Sequence, residues 1–538
     1  MKTHFQHLLD LNKGDLDRKI FSDPQIFEQE LERIFARCWL LLGHESMLPK
    51  PNDFFTTYMG RDPVIVTRKP DGSIGCYLNM CRHRGNRVCR ADSGNARAFT
   101  CPFHGWTFSN DGSLSNVPGF KEIYLERLDL QAHSLVPVAK IASYKGLLFA
   151  TFDGNAPSLE DYLGDMAWYL DMILDRREGG IEFLPGTHKW LVHTNWKFPV
   201  DNFIGDSYHG PVSHKSAWMS GFEGMPRRKS GYGYEGFQVQ PGNGHGFGTR
   251  WAENREQVLE MALPEFLEYE RSRLDESIAR LGDLRGLHMS PMHASIFPNV
   301  SLLWQGSAIR VWHPKGPQLT EAWGWCFVDK VAPEDYKREK ALHMLQRHGT
   351  SGTWEVDDVD NWVQCNSANA GYVARRYPQN LEMGLGDEID DPRAIHPDIR
   401  GLPLTSHWLE GESLRPLLDG AKSAVREVAI SELDYAIYGA ARQLKLQPRQ
   451  ARMVMARSER FKYIHYDGLP PQLFDLQEDP MELNDLGRDP AYARARDEHL
   501  GFIFDWMRQR RNRVTISDEA IMKRATPAAA GGVVIGEW

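Results

Sequence analysis

Long apolar runs are absent from this sequence, which has no stretch near the roughly eighteen residues that a helix needs to span a bilayer. The first ten residues also lack the cationic and then apolar layout of a secretory signal peptide. Excess positive charge is absent as well, since the net charge is -9 and the pI is about 6.1, which argues against nucleic acid or an anionic membrane as a partner. Together these absences predict a cytoplasmic protein.

Cysteine is scarce, with seven residues in a chain of 538. Such an odd and sparse set does not form the disulfide framework of a secreted protein, and it favours metal binding instead. Hydrophobic residues make up 41% of the chain and charged residues 25%, which is a globular balance. The length predicts roughly three to four domain-sized units.

The hydrophobic pattern changes along the chain. Residues 14–40 have apolar side chains at helical spacing and predict a helix. From about residue 45 to residue 155, short β-branched and aromatic runs separated by turns predict an all-β unit. Helical and strand patterns then alternate to about residue 374, and residues 386–400 are polar and interrupted by proline, which predicts a linker.

Two short motifs between residues 81 and 104 each pair a cysteine with a histidine: Cys81-x-His83 and Cys101-x-x-His104. Two thiolates on one iron and two imidazoles on the other are the ligands of a Rieske [2Fe-2S] centre. Zinc also takes two cysteines and two histidines, but its usual spacing groups like residues together, whereas each motif here has one of each. The spacing therefore favours the Rieske cluster, and Cys89, between the motifs, is expected to be a buried thiol.

A second constellation follows at residues 206 to 214, where His209 and His214 are separated by four residues and Asp206 precedes them. With a downstream carboxylate, Asp358 or its neighbour Asp357, the two histidines would form the two-histidine, one-carboxylate triad that leaves positions on Fe(II) open for dioxygen. Such a histidine pair alone is a weak signal, since surface or core histidines would also explain it. An electron relay in the same chain needs a terminal acceptor, which favours the iron interpretation.

From about residue 15 to residue 395 the chain resembles the α subunit of Rieske non-haem iron aromatic-ring-hydroxylating dioxygenases, of the naphthalene, biphenyl and polycyclic-aromatic type. The matching features, in the order of the family, are the two Rieske motifs, Asn195-Trp196-Lys197 leading to Asp206, Tyr208, His209 and His214, then Ile296-Phe297-Pro298-Asn299, and the run from Trp354 to Trp362.

The resemblance implies the roles of individual residues. The four residues of the first constellation would hold the cluster, and His209, His214 and Asp358 would bind the catalytic iron, because the register of the family favours Asp358 over Asp357. Asp206 would be a bridging carboxylate that hydrogen-bonds His209 and reaches His104 of the partner subunit. The candidate substrate-pocket residues, for which core packing is the alternative, are Asn202, Phe203, His293, Leu303, His348 and Trp354. Relatives commonly have a large apolar residue at the position of His348.

The implied fold class is α+β, with an all-β Rieske [2Fe-2S] domain, a catalytic domain of antiparallel sheet and helices, and a small appended α+β segment. The expected units are an N-terminal helical segment that packs on the catalytic domain (1–40), the Rieske domain (41–157), the catalytic domain (158–395), a C-terminal segment (400–520) and a disordered tail (521–538).

The implied activity is NADH-dependent cis-dihydroxylation of an aromatic, hydrophobic mono- or polycyclic ring with O2, in which electrons pass from the cluster to mononuclear Fe(II). The electrons would come through a separate reductase and ferredoxin, and the assembly would be α3 or α3β3 with a β subunit. A Rieske monooxygenase or demethylase is the alternative within the same chemistry. A pure electron-transfer protein is a second alternative, against which the second constellation argues.

The resemblance ends near residue 400. Residues 401–420 and 451–487 resemble instead the C-terminal part of sulfatases and phosphonate monoester hydrolases. The Cys-x-Pro-Ser-Arg nucleophile motif of that family is missing from this sequence, and so are its metal-binding aspartates. Hydrolysis of a sulfate or phosphonate ester is therefore the least favoured function, and the segment is expected to be catalytically empty.

Overall fold

A computed structural model describes residues 8–10, 13–206, 209–215, 217, 236–381, 401–403, 428–434, 452–467, 469–480 and 482–509. The chain divides into two units, Met1–Thr405 and Ser406–Trp538. Tyr208, the predicted linker at 386–400 and the predicted disordered tail at 521–538 lie outside the described residues. No helix in the described part is long and apolar enough to cross a membrane, and the cytoplasmic location stays a prediction.

The N-terminal segment is not the single helix predicted over residues 14–40. Its elements are strands β1 (Leu9–Asp10) and β2 (Asp15–Leu16), a 3-10 turn at Arg18–Phe21, helix α1 (Pro24–Glu30) and a π turn at Leu31–Phe35. The helix begins at Pro24 because the Asp23 carboxylate caps it, accepting hydrogen bonds from the backbone N–H groups of Gln25 and Ile26. The predicted helix is wrong at both ends, since β2 precedes it and Leu40 already belongs to a strand.

The first domain is all-β, as the sequence predicts. Its strands are β3 (Leu40–His44), β4 (Asp53–Met59), β5 (Asp62–Arg68), β6 (Ile74–Leu78), β7 (Ser93–Asn95), β8 (Ala98–Thr100), β9 (Thr107–Ser109), β10 (Leu114–Asn116), β11 (Lys140–Tyr144) and β12 (Leu147–Thr151). They form antiparallel sheets in the orders β6-β5-β4-β7, β10-β9-β8 and β11-β12-β3. The first Cys/His motif follows β6 and the second joins β8 to β9.

The second domain is built on a large antiparallel sheet flanked by helices. Its helices are α2 (Leu159–Leu163), α3 (Met166–Leu174), α4 (Lys197–Gly205), α5 (Gly210–Ser213), α6 (Arg255–Glu260), α7 (Leu267–Asp283), α8 (Glu334–His348) and α9 (Thr353–Asn369). Its strands are β13 (Ile181–Phe183), β14 (His188–Val192), β15 (Gly236–Val239), β16 (Gly246–Trp251), β17 (Met289–Ile296), β18 (Val300–Leu303), β19 (Ala308–Gly316), β20 (Leu319–Asp329), β21 (Gln379–Asn380) and β22 (Gly401–Pro403).

In the described residues the main sheet has nine strands in the order β13-β20-β19-β18-β17-β16-β15-β22, with β14 also paired to β20, while β21 pairs with β2. The strand β22 lies beyond the domain end predicted at residue 395. Its backbone pairs with β15, in the register Val239 to Gly401 and Phe237 to Pro403. The catalytic sheet therefore extends a few residues into the segment that we assigned to the C-terminal unit.

The N-terminal segment packs against α4, the helix that leads to the second constellation. The Phe21 ring stacks on Phe198, with ring centroids 4.2 Å apart. Glu30 accepts hydrogen bonds from Trp196 Nε1 at 2.9 Å and from Lys197 Nζ at 2.6 Å. Since α4 carries both contacts, the segment holds the helix that precedes Asp206.

The second unit contains a four-stranded antiparallel sheet in its described residues, formed by β23 (Ala429–Asp434), β24 (Arg452–Arg457), β25 (Phe461–Tyr466) and β26 (Gln472–Asp475). Helix α10 (Ala493–Gln509) covers one face of it. Ile503 of the helix is 2% exposed and packs in one cluster with Tyr463 and Leu473 of the sheet. The unit is thus α+β, as predicted; its resemblance to sulfatases stays a prediction.

Candidate metal centres

The two Cys/His motifs form loops with the same backbone hydrogen bonds. In the first loop the Gly85 N–H donates to Cys81 O at 2.9 Å, and in the second the Gly105 N–H donates to Cys101 O at 3.0 Å. Both glycines have positive φ, 76° and 74°, a conformation that costs little only for glycine. The cysteine N–H groups donate in the same way, Cys81 to Asn86 O and Cys101 to Trp106 O, each at 2.8 Å. The flanking glycines of the motifs therefore close two matching turns.

These turns bring the four predicted cluster residues together as two pairs. The Cys81 and Cys101 thiols are each 2% exposed and lie in hydrogen-bond contact, and the ring centroids of His83 and His104 are 4.5 Å apart. The buried Nδ1 atom of His83 has no hydrogen-bond partner among the described residues. Cys89 is buried too, but its thiol faces Ala91 O at 3.7 Å.

The pairing of thiol with thiol and imidazole with imidazole fits two irons better than one zinc ion. A tetrahedral zinc site needs four ligand atoms roughly 3.5 Å apart. Among the described residues, one group of at least three His, Cys, Asp or Glu side chains has all its ligand atoms within 4.8 Å of one another. That group is His209, His214 and Asp358. The Cys/His residues do not meet at one point, and the orphaned His83 Nδ1 suits a ligand of the second iron.

The second constellation converges on one point, from the two ends of α5, where His209 and His214 are the caps, and from α9. The Nε2 atoms of His209 and His214 are 3.1 Å apart. Asp358 Oδ1 lies 3.2 Å from the first Nε2 and 3.3 Å from the second. Three potential ligand atoms thus face one another in a largely buried space, with Asp358 8% exposed.

The electrostatics of this group suit a cation. Burial by itself lowers the pKa of His209, but hydrogen bonds with Asp206 and Asp358 raise it to about 10. Burial by itself raises the pKa of Asp358, but the two imidazoles lower it well below its ordinary value. The carboxylates thus draw positive charge onto His209, and a divalent cation bound by both Nε2 atoms would supply that charge without protons.

Asp357, the alternative ligand, lies elsewhere. Its Oδ2 atom is 3.3 Å from Nδ1 of His214, on the opposite edge of the ring from Asp358. Asp206 contacts His209 in two ways: its carboxylate accepts the His209 backbone N–H at 3.1 Å, and its carbonyl oxygen accepts the ring Nδ1–H. The carboxylate itself is 3.5 Å from Nδ1, so the main partner of the ring is the backbone of Asp206 rather than its side chain.

The predicted pocket residues lie at different distances from the triad of His209, His214 and Asp358. The Trp354 ring lies 4.5 Å from that of His214, and the His348 ring lies 6.2 Å from Trp354. His293 on β17 is directly opposite Leu303 on β18, and its Nε2 hydrogen-bonds Gln238 Oε1 at 2.9 Å.

The other two pocket candidates lie on α4. Phe203 is 4% exposed and packs against Trp312 in the core. This position favours a role in core packing over a role in the substrate pocket. Asn202, half-buried, precedes it on α4.

Sequence reasoning missed a buried ion pair beside the triad. Arg310 and Glu355 are 0% and 2% exposed at their side chains and are joined by a hydrogen bond. The same guanidinium donates to the carbonyl oxygen of His348 at 3.0 Å. Glu355 precedes Asp358 by three residues, which puts both carboxylates on one face of α9. That spacing was a signal in the sequence for Glu355 alone, because nothing local marked Arg310 as its partner.

Comparison with known proteins gives this geometry a context. Residues 159–384 match the family model described as ring hydroxylating alpha subunit (catalytic domain), and residues 38–141 match the Rieske [2Fe-2S] domain. The biphenyl 2,3-dioxygenase subunit alpha of Rhodococcus jostii is 41% identical over 401 residues, which cover 73% of this chain and 85% of that protein. The benzene 1,2-dioxygenase subunit alpha of Pseudomonas putida is 39% identical over 424 residues, covering 76% and 93%.

Among solved structures, naphthalene 1,2-dioxygenase with indole bound in its active site superposes with a TM-score of 0.65 and 34% identity, over 72% of this chain and 87% of that one. These matches confirm the predicted α+β fold class, the enzyme class and its cofactors, a [2Fe-2S] cluster and mononuclear Fe(II) with O2 as co-substrate and NADH as the distant electron source. The individual ligand assignments and domain bounds stay predictions. The chain belongs to the α subunits of the Rieske non-haem iron aromatic-ring-hydroxylating dioxygenases.

Proposed function

We propose that this chain is a terminal oxygenase subunit that converts a hydrophobic mono- or polycyclic aromatic ring to a cis-dihydrodiol. The observation that carries the proposal is the convergence of His209, His214 and Asp358 on one point, with ligand atoms 3.1 to 3.3 Å apart. When bound there, iron supplies open coordination positions for dioxygen. The relatives named for biphenyl and benzene support a hydrocarbon ring as the substrate.

The geometry of the two groups also supports the proposed ligands of each centre. Cys81, His83, Cys101 and His104 would hold the cluster, which passes single electrons. Asp357 and the backbone of Asp206 would fix the two iron-binding imidazoles, because a hydrogen bond to Nδ1 sets both the orientation of the ring and the nitrogen that faces the metal.

The walls of the pocket would be aromatic and neutral. Trp354 offers a flat face beside His214. Burial lowers the pKa of His293 to about 3 and that of His348 well below its ordinary value, so both imidazoles are uncharged at neutral pH. A neutral imidazole is compatible with an apolar ring and can still donate one hydrogen bond. His348 would therefore influence which edge of the substrate faces the iron.

Partners would complete the electron path. The carboxylate of Asp206 is 34% exposed, so it can serve both His209 and His104 of the partner subunit in an α3 or α3β3 assembly. A ferredoxin and a reductase would deliver electrons to the cluster. The term subunit alpha in the names of the relatives supports an additional β subunit.

Product analysis in 18O2 tests the proposal. The reconstituted system, with ferredoxin, reductase and NADH, should convert biphenyl, naphthalene or benzene to a cis-dihydrodiol that carries two labelled oxygens. A phenol or a demethylated product with one labelled oxygen would support the monooxygenase alternative instead. Loss of turnover in His209→Ala, with retention in the control His193→Ala at an exposed histidine, would tie the product to the triad.

Metal analysis separates the two centres. The wild-type chain should bind about three irons, two in the cluster and one at the triad. His209→Ala should lose about one of them and keep the visible Rieske spectrum. An unchanged iron content in this variant would refute the ligand assignment.

A further inference from the structure

A small cavity lies in the catalytic unit, away from the residues assigned above. Its volume is about 50 Å³, and its wall includes Arg176, Met261, Phe266, Glu270, Trp304 and Lys340. None of the proposed iron ligands or pocket residues contributes to that wall. One water molecule needs roughly 10–15 Å³ of such space, so the cavity has room for a few waters or for one ion of a few heavy atoms.

Two cations face this cavity without a carboxylate partner in the described part of the chain. Arg176 is 5% exposed, and its Nε and Nη1 atoms have no hydrogen-bond partner among the described residues. Its Nη2 atom makes a long contact of 3.5 Å to Gly286 O. Lys340 is 9% exposed, and its Nζ atom lies 4.0 Å above the Phe266 ring. A buried charge without a partner is costly, so these two groups call for a counter-ion.

The neighbouring carboxylates are already engaged. Arg177 forms ion pairs with Glu270 at 3.0 Å and with Asp329 at 3.5 Å. Glu265, on the other side, lies 4.0 Å from Arg347. This group contains three cations, Arg176, Arg177 and Lys340, and two carboxylates, Glu270 and Asp329. One positive charge is therefore in excess.

We propose that this cavity, hereafter the Arg176 cavity, binds a small monovalent anion, a halide or a carboxylate of one or two carbons. A single negative charge between Arg176 and Lys340 neutralises the excess, and charge-assisted hydrogen bonds satisfy the free guanidinium N–H groups. A doubly charged anion would exceed the single excess positive charge, and a larger anion would exceed the volume of the cavity. Because residues 258–266, helix α8 and Ser290 of strand β17 all contribute to the wall, the anion ties this segment to the sheet and stabilises the fold.

Thermal unfolding of the full-length protein tests this inference at constant ionic strength. Replacing sodium gluconate with chloride, bromide or formate should raise the unfolding midpoint by about 2–4 °C, whereas sulfate should not. Arg176→Met and Lys340→Met should both lose this response. The matched control Arg255→Met removes an exposed arginine that pairs with Asp275, and it should keep the wild-type response. An equal chloride response in Arg176→Met and wild type would overturn the proposal.

Crystals of the wild-type protein soaked in bromide give a readout that does not depend on the variants folding. Anomalous scattering should show a bromide between the Arg176 guanidinium and the Lys340 ammonium. A cavity that contains only water at saturating bromide would contradict the inference. Since neither experiment requires iron or substrate, a failure here is distinct from a failure of the proposed dioxygenase activity.

Discussion

Asp357 Oδ2 lies 3.3 Å from Nδ1 of His214, on the edge of the ring that faces away from Asp358. Consecutive residues on a helix point about 100° apart, so the two aspartates of α9 reach opposite edges of the same imidazole. One carboxylate meets the nitrogen that faces the triad, and the other fixes the ring. The two acids therefore have different roles, although they are adjacent in the chain.

Exchange of each acid for its amide should separate these roles. Asp358→Asn should remove the mononuclear iron and turnover. Asp357→Asn should keep a detectable site and weaken its iron affinity about 10- to 100-fold, because loss of a partner on a metal-bound histidine typically has that effect. Iron titration measures the iron affinity of each variant. The visible spectrum of the cluster, recorded on the same samples, shows that the cluster remains intact. Equal iron affinity in Asp357→Asn and wild type would show that the contact is only structural.

Asp206 should control electron transfer between the centres more than iron binding. Asp206→Asn keeps the backbone carbonyl that accepts the His209 ring N–H, and its amide oxygen can still cap the His209 N–H. The variant should retain iron and a cluster that ferredoxin reduces, but the reduced cluster should reoxidise at least about tenfold more slowly with substrate and O2. Stopped-flow spectra at the cluster wavelength measure this rate.

The matched control is Asp275→Asn, the same exchange at an exposed aspartate on α7. It should reoxidise at the wild-type rate. If Asp206→Asn did so as well, with product formed, the electron path would have to avoid Asp206.

The two metal constellations could be predicted from the sequence because each depends on short spacing. The Cys/His turns need glycines at fixed positions, and two histidines five apart reach one point from the two ends of a short helix. The position of Asp357 could not be predicted, because it depends on how α9 packs across α4. The Arg310–Glu355 pair joins β19 to α9, and such long-range pairs leave no local signal on the strand.

The C-terminal boundary of the catalytic unit could not be predicted from the sequence either. The run Gly401–Pro403 looks like the start of a new segment by composition, and proline is rare in central strands. It is tolerated here because β22 is the edge strand of the described sheet. The pairing partner lies more than 160 residues upstream on β15.

Truncation should therefore depend on where the chain is cut. A chain that ends at Thr405 should keep both metal sites and turnover, and no variant should hydrolyse aryl sulfates or phosphonate esters above background. A chain that ends at Arg400 loses β22, exposes the edge of β15, and loosens Gln238, which holds His293. It should unfold at a lower temperature than the Thr405 truncation. Ester hydrolysis that disappeared on truncation would instead assign a function to the second unit.

A pH-dependent prediction concerns His44, at the end of β3. The ring is 5% exposed, stacks on Phe183 of the catalytic domain with centroids 5.0 Å apart, and accepts the Ser46 N–H on Nδ1 at 3.1 Å. Burial lowers the pKa of His44 to about 4, against its ordinary value of 6.5. The unfolded chain thus binds the proton more readily than the folded one between these values. The stability that neutral His44 provides is complete above pH 6.5 and is lost as the pH falls toward 4.

His44→Asn keeps a side-chain acceptor for Ser46 but does not titrate. At pH 7 the variant should be less stable than wild type, because it loses the stacking on Phe183. The wild type should then lose about 2 kcal/mol more than the variant between pH 7 and pH 5, so that the difference narrows. Urea unfolding at several pH values, with the cluster absorbance recorded to confirm that both proteins remain loaded, measures this difference. The control His193→Asn, at an exposed position, should follow the wild-type curve. A constant gap between His44→Asn and wild type would show that folding does not lower the pKa of His44.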